Sequence, residues 1–223
     1  MSRIGRIAEA LGVHGLTVRG VLNFENGDAP RLNGGLAKSI ALVGHTGSAI
    51  WPNFSKWLSQ QSPVPIDPLD TWSKEVIGAV AAAVGGHAVF PSDKPYLPFQ
   101  QWAKKAEGLK ASPLGMLIHP VYGLWHAFRG AILFDDVTLS QKVEKLSHPC
   151  DACIEKPCLS VCPVDAFSGD GYAVDRCRSH LAMPQGQPCM GDGCLARRAC
   201  PIGRDYMYVP EQIRFHMRAF AQK

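Results

Sequence analysis

The chain has 223 residues, 46% of them apolar, and 23 Lys and Arg stand against 19 Asp and Glu. That is an ordinary globular composition with enough apolar material for one large domain and an appendage, or for two small domains. The mild charge of +4 is scattered, with no basic run longer than Lys104-Lys105 or Arg197-Arg198, so no nucleic-acid partner is indicated. The longest apolar run, Val76 to Gly86, is too short to span a bilayer, which argues against a membrane protein.

In chain order, residues 3–11 predict a short helix with Ile4, Ile7, Ala8 and Leu11 on one face. Leu16 to Phe24 reads as a strand closed by a turn over Glu25 to Asp28. Ser39 to Val43 is a short buried strand. Gly44-His-Thr-Gly47 then leads into a helix carrying Trp51, Phe54 and Leu58. Asp67-Pro68-Leu-Asp70 is a helix start, and that helix runs through Ile77 and Val80 to a stop at Gly85. His87 to Phe90 predicts another strand. Pro98 opens a helix with Phe99, Trp102, Ala103 and Ala106, ended by Gly108. Met116–His119 and Gly130–Phe134 read as strands on either side of an aromatic stretch from Tyr122 to Phe128. Pro210 begins a last helix with Ile213, Met217 and Phe220 in line. Alternating strands and helices of this kind imply an α/β or α+β sandwich.

Composition changes near residue 147: all five tryptophans precede it and all eight cysteines follow it. The cysteines run Cys150-x2-Cys153-x4-Cys158-x3-Cys162-Pro163, then Cys177, then Cys189-x4-Cys194-x5-Cys200-Pro201. A cubane cluster needs four thiolates, three from a tight turn and a fourth from a distant Cys followed by Pro, and two such endings fit two [4Fe–4S] clusters. A zinc ribbon would use two Cys-x2-Cys knuckles, and only Cys150 and Cys153 are spaced that way. A disulfide framework suits a small secreted domain, whereas Glu9, Gly12 and His14 interrupt any signal-like segment. The expected compartment is therefore a reducing cytoplasm.

In two-cluster ferredoxins the fourth Cys of each run ligates the other cluster. Applied to this chain, Cys150, Cys153, Cys158 and Cys200 form one metal-binding set, and Cys162, Cys177, Cys189 and Cys194 the other.

From about residue 87 onward the chain resembles the cobalamin-dependent epoxyqueuosine reductases and, more distantly, the reductive dehalogenases. The resemblance rests on Asp93 with Trp102-Ala-Lys-Lys-Ala106, on Leu117-Ile-His-Pro-x-Tyr-Gly-x-Trp125, and on the cysteine pattern with Val174-Asp-Arg-Cys177 in its middle. It implies an α+β protein: a nitroreductase-like α/β sandwich over residues 1–146, a two-[4Fe–4S] ferredoxin-like domain over 147–205, and a C-terminal helix over 206–223. It also implies that the clusters pass electrons to a corrinoid, cobalamin, cradled by the first domain. The glutamate that usually follows the family's aspartate is absent, with Phe99 in its place, and the Gly-rich stretch is reduced to Ser112-Pro-Leu-Gly115.

Asp93 is the candidate catalytic proton donor; the alternative is a turn residue, since Pro91-Ser-Asp-Lys-Pro95 is turn chemistry. Tyr122, Trp125 and Phe128 are candidates to line a flat macrocycle, or else core aromatics. Gly44 to Gly47 offers amides for a phosphate, or an ordinary strand–helix connection. His119 and His126 are candidate metal or corrinoid ligands by location alone, or else structural residues, and Arg197 and Arg198 flank the cysteines as charges that would raise a cluster's potential, or else as solvated surface residues. Two functions remain open. In one, an oxidoreductase of the cobalamin-dependent kind reduces a small-molecule substrate. In the other, a ferredoxin-type electron carrier uses its N-terminal domain to dock a redox partner protein.

Overall fold

A computed structural model describes residues 2–25, 29–32, 35–140, 147–168 and 171–222. The chain divides into two compact units: Met1–His45, Ala49–Gly108 and Ala127–Lys145 make the first, and Thr46–Ser48, Leu109–His126 and Leu146–Lys223 the second. Residues 109–126, which the sequence reading groups with the first domain, thus belong with the cysteine segment, because they pack against it. Leu114, Ile118 and Leu124 share a buried cluster with Cys158, Ala196 and Cys200.

The first unit is built on helix α1 (Arg3–Gly12), strand β1 (Thr17–Asn23), the short hairpin β2 (Arg31–Leu32) and β3 (Gly35–Leu36), and β4 (Ser39–Thr46). Helices α2 (Trp51–Leu58) and α3 (Pro68–Ala83), strand β5 (His87–Val89) and helix α4 (Phe99–Glu107) follow. The second unit begins with β6 (Lys110–Ala111) and β7 (Leu117–Ile118), and then β8 (His126–Phe134) returns the chain to the first. The main sheet has the order β1-β4-β8-β5, with β1 antiparallel to β4 and β5 antiparallel to β8.

β4 is buried along nearly its whole length, as a central strand covered on both faces should be. It runs three residues past the predicted end. Gly44 is strand because a Cβ there would lie 2.2 Å from the Ala127 carbonyl oxygen, so only glycine lets the two backbones approach. Helices α1 and α4 both pack on β1, and α3 packs on β5. Ile7, Leu11, Ile40, Leu42, Phe54 and Ile132 are fully buried. Inside this apolar core Arg19 Nη2 pairs with Glu107 Oε2 at 2.8 Å, and Arg19 Nη1 donates to the His45 carbonyl at 3.3 Å. α4 ends as predicted, with Gly108 in the left-handed conformation. Part of the turn expected after β1, residues 26–28, lies outside the described residues.

In the second unit the chain beyond residue 147 folds into short pieces: α5 (Pro157–Ser160), the hairpin β9 (Phe167–Ser168) and β10 (Gly171–Tyr172), α6 (Val174–Leu181), α7 (Gln187–Asp192), α8 (Leu195–Arg198) and α9 (Pro210–Ala221). α5 packs on α8, and α7 on α9. Two glycines close the unit: the turn at Gly123 (φ +56°) touches the turn at Gly203 (φ +76°). A Cβ on Gly123 would sit 2.0 Å from the Ile202 carbonyl oxygen. Among the described residues no helix is long and apolar enough to cross a membrane.

Candidate metal centre

Each predicted cysteine set lines a cavity of its own within the second unit. Cys150, Cys153, Cys158 and Cys200 border one pocket together with Pro149, Pro157 and Pro201. Cys162, Cys177, Cys189 and Cys194 border a larger one, walled by Phe167, Tyr172, Leu181, Met217 and Phe220. None of the eight is in a disulfide.

The electrostatics sort the thiols in the same way. Burial pushes Cys150 up, and then the sulfurs of Cys200, Cys158 and Cys153 push it further. Cys158 is raised by burial, then by Cys200 and Cys153; Cys200 is raised by burial and, less, by Cys153, against an opposing hydrogen bond from the Ile202 amide. In the other set burial raises Cys189 and Cys194, and each feels Cys177 and Cys162. Opposing amide donors lie at Leu195 for Cys189, and at Arg197 and Ala196 for Cys194. The Ala166 amide donates to Cys162 Sγ at 3.3 Å.

The fourth cysteines cross over because of local geometry. α5 begins directly before Cys158, and the chain after it carries Cys162 into the larger cavity. The turn after α8 brings Cys200 back to the smaller cavity, where Pro201 and Ile202 complete the wall. Among the described residues no group of three or more His, Cys, Asp or Glu side chains could hold a metal ion as it stands. A zinc ion about 2.3 Å from each sulfur would need its thiolates within about 4 Å of one another.

Two further residues at the larger cavity, Tyr172 and His180, are not among the candidates singled out from the sequence. Tyr172 hydrogen-bonds Cys177, and burial, then that bond, holds its phenol well above the usual range. Its ring stacks on Phe167 at 4.6 Å and 10°. His180 is 6% exposed, and its Nε2, shielded from solvent, has no hydrogen-bond partner among the described residues.

The other predicted site residues are engaged locally. Asp93 sits in the turn after β5, its amide bonded to the Phe90 carbonyl and its carboxylate paired with Lys74 Nζ at 2.6 Å. Both side chains of that pair are over two-fifths exposed. Tyr122 stacks on His119 with centroids 4.2 Å apart and meets Tyr206 edge-on. Trp125 is buried against Tyr208 and the Arg197 guanidinium. Phe128 belongs to the first unit, under Arg19. His119 Nδ1 accepts the amides of Val121 and Tyr122, which makes it a turn former, and His126 Nε2 lies 3.1 Å from the Leu117 carbonyl. The Gly44–Gly47 phosphate reading is corrected: Gly44 to Thr46 are strand, and the Gly47 amide is already bonded to the Trp125 carbonyl at 2.7 Å. Arg197 borders the larger cavity, while Arg198 forms a loose surface pair with Asp192 at 3.7 Å.

Among solved structures the chain is similar to a C. elegans B12-trafficking protein CblC, a homologue of human MMACHC. The TM-score is 0.58 at 14% identity, over 98% of this chain and 92% of that one. The mixed α/β fold of this chain is shared with that protein. It also matches epoxyqueuosine reductase from Bacillus subtilis at a TM-score of 0.48 and 15% identity, over 77% of this chain and half of the reductase, a likeness too slight to build on. No family model matches the chain, and no curated protein does.

Proposed function

We propose that this chain is a redox protein carrying two [4Fe–4S] clusters, one per cysteine-lined cavity, and that it passes single electrons to a corrinoid bound through its α/β fold. One observation carries the reading: eight thiols divide four and four between two separate cavities, in the crossed pairing that a two-cluster ferredoxin requires. The fold shared with a B12-trafficking protein supports the corrinoid part. A cubane cluster, when bound, supplies one-electron chemistry and no bond making of its own.

The chain's part is to hold and shield. In the smaller cavity Leu114, Ile118 and Leu124 keep water away from the thiols. In the larger, Phe167, Leu181 and Phe220 do so, while amide and phenol donors face the sulfurs. This arrangement suits transfer to a redox partner protein or an internal acceptor in a reducing cytoplasm.

A second reading makes the chain a carrier whose first unit docks a partner enzyme. It is favoured by Asp93, already paired with Lys74, and by Tyr122, Trp125 and Phe128, each already packed by its own neighbours. A titration separates the two readings. Iron-loaded protein mixed with micromolar cob(II)alamin should shift the corrinoid spectrum towards a base-off or four-coordinate form. An unchanged spectrum with full iron content leaves the carrier.

A further inference from the structure

The two cavities differ in what faces their sulfurs. At the smaller one the amides of Cys158 and Ile202 donate to sulfur. At the larger one the amides of Ala166, Leu195, Ala196 and Arg197 and the Tyr172 phenol do so. Charges do not undo this difference. Lys156 and Arg204 act on the first set and Asp151 opposes them, while Arg197 borders the second cavity.

His180 adds to the asymmetry. It lies three residues after Cys177 on α6, so both side chains share one helix face, and it borders the same cavity. Its buried Nε2 has no protein partner among the described residues. Thiolates and sulfides are acceptors, so a ring nitrogen that meets them carries the proton and donates.

A donor aimed at a cluster stabilises the state with more negative charge. Reduction adds one negative charge, so each N–H or O–H to sulfur favours the reduced form and raises the potential. We propose that the cluster held by Cys162, Cys177, Cys189 and Cys194 is the higher-potential one of the pair, and that His180 and Tyr172 are the side chains that set it there. An electron delivered to either cluster then comes to rest at the second. The inference stands on the iron–sulfur reading above, with His180 and Tyr172 acting through the ligands as positioning residues.

The test is a redox titration of the reconstituted full chain, followed by electron paramagnetic resonance, with iron counted in the same samples. The parent should show two waves. His180→Leu should make the upper wave about tenfold harder to reduce at a fixed potential, a downward shift of about 59 mV for one electron. The lower wave should stay in place. His180→Gln, which keeps a donor at nearly the same position, should recover most of the shift. Tyr172→Phe, at a half-exposed site where folding is not at risk, should move the same wave in the same direction. With iron content unchanged, an upper wave that stays still in both His180→Leu and Tyr172→Phe, or a lower wave that moves instead, overturns the inference alone. A parent that takes up no iron overturns the reading beneath it as well.

Discussion

The Arg197 guanidinium lies over the Trp125 ring, its Cζ 4.2 Å from the centroid, while its Nη2 donates to the Leu124 carbonyl at 2.7 Å. The same Cζ lies 4.7 Å from the centroid of the Tyr208 ring. A cation held this way is part of the packing of the second unit, beyond any effect on a neighbouring cluster. Arg197→Ala removes the stack and leaves a buried carbonyl unpaired, at a cost of about 2–4 kcal/mol. Arg197→Lys should recover only part of that, because an ammonium cannot stack and fork together. Denaturant unfolding of the two variants reads the difference.

Gly123→Ala should be among the most damaging single changes in the second unit. The new Cβ would meet the Ile202 carbonyl at 2.0 Å in a backbone conformation that L side chains rarely adopt. Ile202 also walls the smaller cysteine cavity. We expect a loss of more than about 2 kcal/mol and impaired iron retention by the set containing Cys200. Thermal unfolding and iron counting on the same sample check both.

Much of the first unit is legible in its sequence because the signals there are local. Pro98 and Gly108 frame α4, Pro68 starts α3, and the periodicity of Ile7 and Leu11 defines α1. The end of β4 is not legible: Gly44-His-Thr-Gly47 has turn composition, and only the close approach of Ala127 makes it strand. The helices α5, α7 and α8 have four to six residues, too few for a periodic pattern. The cysteine pairing is legible through spacing alone. Tyr172 is not, because its bond to Cys177 depends on the β9–β10 hairpin. His180 leaves one usable sign, its i+3 spacing from Cys177.

The buried Arg19–Glu107 pair gives the first unit a pH dependence. Burial, the largest influence, raises the Glu107 carboxyl above its ordinary value, and Arg19 only partly offsets it. A raised folded value means that the contribution is fully present below the unfolded value. It fades as pH climbs through the folded one. Stability measured in urea should therefore fall as pH rises above the ordinary carboxyl range, and Glu107→Gln should flatten that part of the profile. Truncating Arg19 to Met while keeping Glu107 should cost about 3–5 kcal/mol, since the carboxylate is left without its buried partner.

Asp93→Ala should change stability by less than about 1 kcal/mol, because the pair with Lys74 is half in solvent. Corrinoid binding, where present, should survive the change. Turnover that collapses while binding persists would identify Asp93 as the proton donor.

Iron and acid-labile sulfide counted after anaerobic reconstitution, in the parent and in two serine variants, test the central claim most directly. The account predicts about eight iron atoms per chain, with about four lost in Cys158→Ser and about four in Cys194→Ser, each from a different cluster. In Cys158→Ser the surviving signal should be that of the set with Cys194, and the reverse should hold in Cys194→Ser. A chain that binds only zinc, or one in which either single change removes all the iron from an otherwise folded protein, would contradict two independent four-cysteine sites.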